Sequence, residues 1–330
     1  YLRSNGCPDE VIAKLDDPTE VINYFSQVYV DDYWKRFGFL IDYSRLMTTV
    51  SPGYKRFITW QFHKLRAAGL LTRKPHFAPF CPNCGPVAVD RSETDISEGG
   101  DAEINEFTVI KFQMDDLILP AATLRPETIF GVTNMWVHPK VTYVIAEVDD
   151  ERWVLSEPGY HKLVNQLGRD IKKLDTIQGN ELAGETCRVP LVDREAPVLP
   201  APFADPDVAT GIVMSVPAHA PYDYVALQEA APSIEPIVII EVEGYEIPAR
   251  EVVEEMGIER QDDSRLEEAT QRGYKAEFHQ GRLNERCGDY AGIPVSQIKD
   301  AVKNELIDGG MAAIMREFSK SVVCRCGEHV

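Results

Sequence analysis

Residues 210–224 read TGIVMSVPAHAPYDY, an apolar run followed at once by two prolines and a helix-like start. Gly211–Val216 has the length and the β-branched content of a buried strand. Pro217 and Pro221 then stiffen the turn, and a proline at position 221 suits the first turn of a helix. The stretch predicts a strand that passes through a tight corner into a helix, which is typical of mixed α/β folds.

Asp223 and His219 lie at that corner. An acid in the first turn of a helix is stabilised by the helix dipole, so Asp223 taken alone is interpreted as structural. No serine or cysteine nucleophile stands beside His219. We therefore interpret His219 as a hydrogen-bonded surface histidine rather than as a general base. Without further context, these residues indicate local structure more than catalysis.

A second corner is predicted at Thr123–Thr128, which reads TLRPET. Two threonine hydroxyls and the Arg125 cation flank Pro126, which biases the residue before it toward extended backbone. One interpretation is a strand-to-helix corner with a threonine cap and a proline at the first helical position. The alternative is a pocket wall in which Arg125 meets a phosphate. The residues alone favour the corner.

The composition limits the class of protein. A chain of 330 residues is expected to hold about two or three domains. The 53 acidic and 34 basic residues give a net charge of −19, which disfavours broad nucleic-acid binding through a basic face. No apolar run approaches the roughly 18 residues of a membrane span. We expect a cytoplasmic, monomeric protein without a membrane partner.

The first part of the chain differs in pattern from the rest. Residues 1–76 are predicted to be helical, with one helix that opens at Pro18 and another after Ser51 that ends at Gly69. One short buried strand is predicted at Gly38–Asp42. The prolines and glycines of residues 77–96 then predict tight turns, and the acidic residues 97–101 predict a linker.

From residue 104 onward, strand patterns alternate with helix patterns. Period-2 alternation predicts a first strand with one face formed by Thr108, Ile110, Phe112 and Met114. Further strands are predicted at 141–148, 187–192, 196–199, 211–216 and 237–242. Helices are predicted at about 222–231, 249–257, 263–272 and 296–307. The last should have Ser296 as its N-cap and an apolar face of Ile298, Val302 and Leu306. These elements predict a compact α/β or β-barrel-like domain.

Four of the seven cysteines form a C-x-x-C and a C-x-C motif, at Cys81, Cys84, Cys324 and Cys326. Each motif places two thiolates on one turn, as in tetrahedral Zn²⁺ sites. The motifs are about 240 residues apart, so a single zinc module would be interrupted by a domain-sized insertion. The alternatives are unrelated buried thiols or a disulfide, and His329 is a substitute ligand. We favour a structural zinc site, because four thiolates leave no open position for water.

Two longer stretches contain these corners. Residues 119–137 read LPAATLRPETIFGVTNMWV, and residues 209–227 read ATGIVMSVPAHAPYDYVAL. Upstream, residues 41–45 read IDYSR and residues 60–65 read WQFHKL. At all four places the chain resembles leucyl-tRNA synthetases of the archaeal and eukaryotic type. The resemblance covers essentially the whole chain, and residues 213–223 look leucyl-type rather than valyl- or isoleucyl-type.

The resemblance implies part of a longer enzyme, since the family's H-x-G-H and K-M-S-K-S adenylation signatures are absent from this sequence. Residues 1–76 would belong to a Rossmann-type catalytic domain, and residues 77–96 and 319–330 would form a zinc ribbon. Residues 97–318 would form the inserted editing domain, β-barrel-like with peripheral helices. The full-length enzyme would join leucine to tRNA(Leu) with ATP and Mg²⁺. This chain would only hydrolyse mischarged aminoacyl-tRNA.

The resemblance also implies roles for single residues. Asp223 would clamp the substrate ammonium. Thr123 and Thr128 would contact the amino acid, and Thr128 would block leucine. Arg125 would contact the terminal nucleotide. These three candidate catalytic residues and Arg125 are joined by further candidate substrate-binding residues: Met214, Val216, Thr210, Ser215 and His219.

The implied substrates are the acceptor end of tRNA(Leu) and the wrong amino acids isoleucine, methionine, valine and norvaline. One methylene is worth only ~1–3 kcal/mol in an apolar pocket, so a second site that excludes leucine by size is needed. The alternatives are a tRNA-binding fragment without editing activity, the equivalent valyl- or isoleucyl-type domain, and a free-standing zinc-ribbon nucleic-acid binder. Leu124 and Ala220 differ from bacterial members, so no role is transferred to them.

Overall fold

The structure, a computed structural model, describes the chain except for residues 1–2, 4–5, 15–16, 75–76, 88–93, 96–101, 168–170 and 325. The linker predicted at residues 97–101 lies outside the described residues. The chain forms two compact units, Tyr1–His76 and Phe77–Val330. In the part that the structure describes, no helix combines the length and the apolar character that a bilayer span requires.

The described residues of the first unit form helices and turns. Its α-helices are α1 (Asp9–Ile12), α2 (Pro18–Val28) and α3 (Pro52–Ala67). The helix predicted to open at Pro18 is confirmed, and the Asp17 carboxylate caps it by accepting a hydrogen bond from the Thr19 N–H at 2.8 Å. The helix predicted after Ser51 is also confirmed. Gly69 follows its end with a φ of 70°, a left-handed conformation in which glycine has no steric penalty.

The buried strand predicted at Gly38–Asp42 is wrong. This segment is irregular, and the Leu40 side chain is fully exposed. A strand is stabilised by hydrogen bonds to a neighbouring strand and by burial of one face. The described residues of the first unit include no other strand. The segment therefore has no pairing partner there.

A ten-stranded mixed sheet forms the centre of the second unit. Strands in this unit, in chain order, are β1 (Phe80–Cys81), β2 (Gly85–Pro86), β3 (Thr94–Asp95), β4 (Ile104–Met114), β5 (Leu117–Thr123), β6 (Asn134–Val137), β7 (Thr142–Val148), β8 (Glu151–Leu155), β9 (Lys172–Gln178), β10 (Thr186–Val189), β11 (Arg194–Pro200), β12 (Ile212–Ser215), β13 (Ile240–Glu241), β14 (Arg282–Leu283), β15 (Ala312–Phe318) and β16 (Val323–Cys324). The large sheet has the order β12-β6-β11-β10-β4-β5-β8-β7-β9, with β15 also beside β4. The pairs β6–β11 and β5–β8 are parallel, and the other pairs are antiparallel.

The sheet is buried on both faces. Ile110 and Phe112 of β4 pack in one apolar cluster, together with Val302. Val109, on the opposite face of the same strand, packs in a second cluster with Leu163. The predicted alternation in β4 is thus confirmed for one face. The other face is apolar as well, because helices cover both sides of the sheet.

Helices surround this sheet. They are α4 (Glu157–Leu167), α5 (Gly179–Leu182), α6 (Pro221–Ala230), α7 (Pro248–Glu255), α8 (Leu266–Gln280) and α9 (Val295–Asp308). The apolar face predicted for the last helix is confirmed, since Ile298, Val302 and Leu306 are all buried. Ser296 as its N-cap is wrong, because the helix begins one residue earlier. The Val295 N–H at the start of the helix donates to the Gly281 carbonyl at 3.1 Å. A backbone group from the end of α8 thus satisfies this helix-end donor.

Two predicted strands are shorter than expected. The strand predicted at 187–192 ends at Val189, where the chain turns and Leu191 adopts a φ of 62°. The strand predicted at 237–242 is reduced to β13. Periodicity marks apolar residues well, but an element ends where its backbone partner ends. The remaining predicted strands and helices are present with shifted ends, and α8 extends eight residues beyond its predicted end at 272.

Candidate functional site

The two predicted corners meet through neighbouring strands. β12 pairs with β6 in antiparallel register, and Ser215 lies opposite Asn134. The Thr133 N–H donates to the Ser215 carbonyl at 3.0 Å. Residues that follow the first corner are thereby held beside residues that precede Asp223. Sequence distance separates the corners, and the sheet brings them together.

Asp223 lies in the first turn of α6 and is buried. Its Oδ2 accepts a hydrogen bond from the Val216 N–H at 2.8 Å. Burial raises the pKa of Asp223 to about 7, although the Val216 N–H acts in the opposite direction. A buried carboxylate that titrates near neutrality can bind a cation strongly when it is ionised. Burial and the raised pKa distinguish Asp223 from an exposed first-turn acid.

Thr123 and Thr128 stabilise the first corner locally. The Arg125 N–H donates to Thr123 Oγ1 at 3.0 Å, and Thr128 Oγ1 donates to the Arg125 carbonyl at 2.7 Å. Pro126–Gly131 then form a 3₁₀ helix that is entirely buried. The corner predicted from the prolines is confirmed, and both threonine hydroxyls are fixed by it. Fixed hydroxyls keep a pocket wall in one geometry.

Arg125 contacts three groups with its guanidinium. Its Nε donates to Glu127 at 3.1 Å, and a terminal nitrogen donates to Glu277 at 2.6 Å. The other terminal nitrogen lies 3.4 Å from the His219 carbonyl oxygen, so Arg125 bridges the two corners. The guanidinium also lies 5.0 Å from the centre of the Tyr274 ring. The cation is held firmly before any ligand is considered.

The interpretation of His219 as a surface residue is wrong. Its ring is buried, and Nδ1 lies 2.6 Å from Glu277 Oε1. The Ile239 N–H donates to Nε2 at 3.0 Å, so Nε2 carries no proton and Nδ1 is the donor to Glu277. Both ring nitrogens of His219 therefore have protein partners. The apolar, proline-rich sequence around His219 contains no sign of these distant partners.

The other predicted side chains fall into two groups. Met214, Ser215 and Val216 are buried at the end of β12 that leads to Asp223. Ser215 Oγ has no hydrogen-bond partner among the described atoms. Thr210 lies beyond the opposite end of β12, and its hydroxyl contacts the Ile212 carbonyl at 3.4 Å. The length of β12 thus separates Thr210 from Ser215 and Val216.

Glu127 and Glu277 also belong to this cluster, and the sequence analysis did not identify them. Glu127, Asp223 and Glu277 are the buried carboxylates of the described residues, and all three contact the predicted corners. Glu277 shares the buried face of α8 with Leu266, Ala269 and Gly273. A glutamate in an otherwise apolar helical stripe was the signal available for it. Buried charge is costly without partners, so this concentration of carboxylates marks a candidate functional site.

An open cleft of about 520 Å³ lies elsewhere, lined by Lys111, Gln113, Glu151 and Arg188 among others. It contains none of the predicted site residues. Its lining includes two ion pairs, with Lys111 Nζ 2.7 Å from Glu151 and an Arg188 nitrogen 3.8 Å from Asp193. A surface cleft without buried, perturbed groups is the weaker candidate for a reaction site. We therefore place the candidate site at the two corners.

The four predicted cysteines form a second cluster. Sulfur atoms of Cys81, Cys84, Cys324 and Cys326 all lie within 4.8 Å of one another. The strands β1 and β2 pair beside the first motif, and Gly327 has a φ of 93° in the turn of the second. A tetrahedral metal about 2.3 Å from each sulfur places the sulfurs about 3.8 Å apart, so these residues fit a metal ion. His329 Nδ1 contacts Ser321 Oγ instead.

Comparison with known proteins gives consistent results. A family model described as the editing domain of leucyl-tRNA synthetase matches residues 105–305. The leucine–tRNA ligase of Methanothrix thermoacetophila is 45% identical over 342 residues, which cover 99% of this chain and 36% of that protein. The leucine–tRNA ligase of Methanopyrus kandleri is 44% identical over 348 residues, with 99% and 36% covered. The chain thus spans about a third of the length of these curated relatives.

Solved structures agree in fold. The crystal structure of GlLeuRS-CP1 matches with a TM-score of 0.57 and 26% identity, covering 64% of this chain and 99% of that one. The editing domain of the P. knowlesi cytosolic leucyl-tRNA synthetase matches with a TM-score of 0.58 and 20% identity, covering 65% and 97%. The second likeness concerns the fold alone.

Proposed function

Because the chain belongs to the leucyl-tRNA synthetase family and contains its editing domain, we propose that it hydrolyses tRNA(Leu) charged with a wrong amino acid. The observation that carries this proposal is the buried Asp223 carboxylate, held by the Val216 N–H at 2.8 Å. The amino acid esterified to tRNA carries a free α-ammonium group. An ionised Asp223 would pair with that ammonium in a water-poor setting, where a charged hydrogen bond is worth roughly 1.5–3 kcal/mol.

The chemistry proposed is attack by water on the ester carbonyl. Water adds to the carbonyl carbon, the bond to the ribose oxygen breaks, and that oxygen leaves with a proton. An aminoacyl ester is already reactive, so positioning supplies much of the rate. The hydroxyl next to the ester on the terminal ribose would assist. His219 does not serve as the base, because Nδ1 and Nε2 are both engaged with protein groups.

Selection against leucine is assigned to the walls of the site. Thr128 is buried and its hydroxyl is fixed on the Arg125 carbonyl, so it cannot turn away from a bulky side chain. Met214 and Val216, buried at the end of β12, would complete the side-chain pocket. Thr123 would contact the amino acid, and Arg125 would meet the terminal nucleotide. The substrates would be isoleucine, methionine, valine or norvaline on tRNA(Leu).

The remaining parts of the chain are assigned by the same reasoning. Residues 77–96 and 319–330 would form a ribbon in which the four cysteines hold a structural Zn²⁺. Such an ion would link the two segments and leave no position open for water. Residues 97–318 would be the editing domain, and residues 1–76 part of a Rossmann-type catalytic domain. The longer protein would ligate leucine to tRNA(Leu) with ATP and Mg²⁺.

A deacylation assay with two substrates tests the proposal. Wild-type chain should release isoleucine from Ile-tRNA(Leu) well above the spontaneous rate and leave Leu-tRNA(Leu) intact. Thr128→Ala should raise the rate on Leu-tRNA(Leu) roughly ten-fold or more, because a pocket that gains a methyl's width discriminates less. Thr176→Ala, an exposed threonine of β9, is the matched control and should leave leucine attached.

Two results would contradict parts of this proposal. If the wild-type chain binds tRNA but releases neither amino acid, the chain is a tRNA-binding fragment without editing activity. If Ile-tRNA(Leu) is cleaved and Thr128→Ala still spares leucine, hydrolysis stands and the size gate lies elsewhere.

A further inference from the structure

Glu277 occupies an unusual position for a charged residue. It lies on α8 and shares the buried face of that helix with Leu266, Ala269 and Gly273. Its relative exposure is 0%, the lowest of the buried carboxylates. Complete burial of a carboxylate is costly unless cations or donors surround it. The contacts of this one side chain therefore indicate its role.

Both carboxylate oxygens of Glu277 are in use. Oε2 accepts from the Arg125 guanidinium at 2.6 Å, and Oε1 accepts from His219 Nδ1 at 2.6 Å. Burial alone would raise the pKa of Glu277, but Arg125 and His219 together lower it below its ordinary value. The group is therefore ionised at neutral pH. Charge-assisted bonds of this length are among the strong ones in proteins.

These two contacts reach opposite walls of the proposed site. Arg125 belongs to the first corner, where its backbone bonds to the hydroxyls of Thr123 and Thr128. His219 belongs to the second corner, and its N–H donates to the carbonyl of Val216 at 2.9 Å. The N–H of that same residue binds Asp223. One carboxylate on a third element thus connects the threonine wall with the amine-binding wall.

We propose that Glu277 is a positioning residue that sets the separation of these two walls and thereby the size of amino acid that the site accepts. The inference rests on the editing function proposed above. Glu277 acts through Arg125 and His219 and touches no substrate. If its bridge is weakened, the walls gain freedom to part. Leucine, which the wild-type site excludes by size, then fits.

The test compares Glu277→Gln with wild type on Ile-tRNA(Leu) and Leu-tRNA(Leu). Glutamine keeps the size of glutamate but replaces one carboxylate oxygen with an NH2 donor, which then faces the donor group of either Arg125 or His219. We expect the ratio of kcat/KM on Leu-tRNA(Leu) to kcat/KM on Ile-tRNA(Leu) to rise roughly ten-fold, since small misplacements alter such rates strongly. Glu268→Gln, on the exposed face of the same helix, should keep the wild-type ratio.

The ratio separates positioning from stability. Loss of folded protein lowers both rates in proportion and leaves their ratio unchanged. His219→Ala removes one half of the same bridge from the other side, and it replaces Glu277→Gln if circular dichroism shows that the latter does not fold. If the wild-type chain cleaves Ile-tRNA(Leu) and the folded bridge variant keeps the wild-type ratio, this inference is overturned alone. A wild-type chain that cleaves neither tRNA overturns the editing function and this inference with it.

Discussion

The cysteine cluster and the candidate site both join distant parts of the chain, but they do so with different chemistry. Cys81 and Cys326 are 245 residues apart, and their sulfurs lie 3.5 Å from each other. Arg125 and Glu277 are 152 residues apart and form a 2.6 Å ion pair. The cysteines are alike and occur in short motifs, so each motif indicates the other. The partners at the site are complementary, and Glu277 has no motif of its own.

The two regions also differ in what stabilises them. The candidate site lies in the core, where Asp223, His219 and Glu277 are buried beside the large sheet. The cysteine cluster has two-residue strands, and Cys84 and Cys326 are exposed. A module with so little apolar burial is expected to need a bound metal for stability. The site should therefore be sensitive to single buried carboxylates, and the cluster to metal.

The largest effect is expected from Asp223→Asn. The variant keeps the size of the side chain but cannot carry the charge that pairs with the substrate ammonium. A lost charged hydrogen bond of about 3 kcal/mol predicts a fall of about a hundred-fold in kcat/KM for Ile-tRNA(Leu). Asp300→Asn, an exposed aspartate of α9, is the matched control and should keep full activity. If Asp223→Asn retains activity, Asp223 is only a first-turn acid of α6.

A smaller effect is expected from pH. Because burial raises the pKa of Asp223 to about 7, this carboxylate is protonated below that pH and ionised above it. Pairing needs an ionised Asp223 and a protonated substrate amine, whose α-amino pKa lies near 8, so kcat/KM should rise roughly five-fold from pH 6 to about pH 7.5 and fall above pH 8, after subtraction of spontaneous hydrolysis. A carboxylate with an ordinary pKa would be ionised throughout and would give no rise between pH 6 and pH 7.5. Absence of that rise would contradict the role of a buried acid whose pKa is raised.

The smallest effect on activity is expected from metal removal. Chelation, or Cys81→Ser, should abolish any bound metal that elemental analysis measures. The contacts of Asp223, Arg125 and Glu277 include none of the four cysteines. Changes in regions that share no contacts have independent effects. The rate of Ile-tRNA(Leu) deacylation should therefore stay within about a factor of two of the wild-type rate. Cys187→Ser, a buried thiol outside the cluster, should leave the metal content unchanged. A large loss of activity on chelation would show that the two regions are coupled.

Local patterns predicted much of the fold because they depend on nearby residues. Pro221 and Asp223 indicated the start of α6, and the spacing of Ile298, Val302 and Leu306 indicated the buried face of α9. The prediction failed where a distant partner was needed. The segment Gly38–Asp42 has strand-like residues but no strand to pair with among the described residues of its unit.

The candidate site shows the same division. Thr123, Thr128 and Asp223 were identified from the two corners and from the family resemblance. Neither source requires a contact between residues that are distant in the sequence. His219 was assigned to the surface because its partners, Glu277 and the Ile239 N–H, come from other elements. The sequence also did not indicate that Thr210 lies at the other end of β12 from the residues that lead to Asp223. Side-chain burial is a property of packing, and packing is not local.

The sequence by itself determined the two corners, the paired cysteine motifs and the family of the chain. The reason is that proline geometry, helix starts and closely spaced cysteines depend only on residues that are neighbours in the sequence. Only the tertiary structure decided that Glu277 connects both walls of the site, that His219 is buried, and that Asp223 has a pKa of about 7. The physical reason is the cost of burying charge. That cost depends on which groups come into contact when the sheet and α8 pack together. It therefore cannot be read from a short stretch of residues.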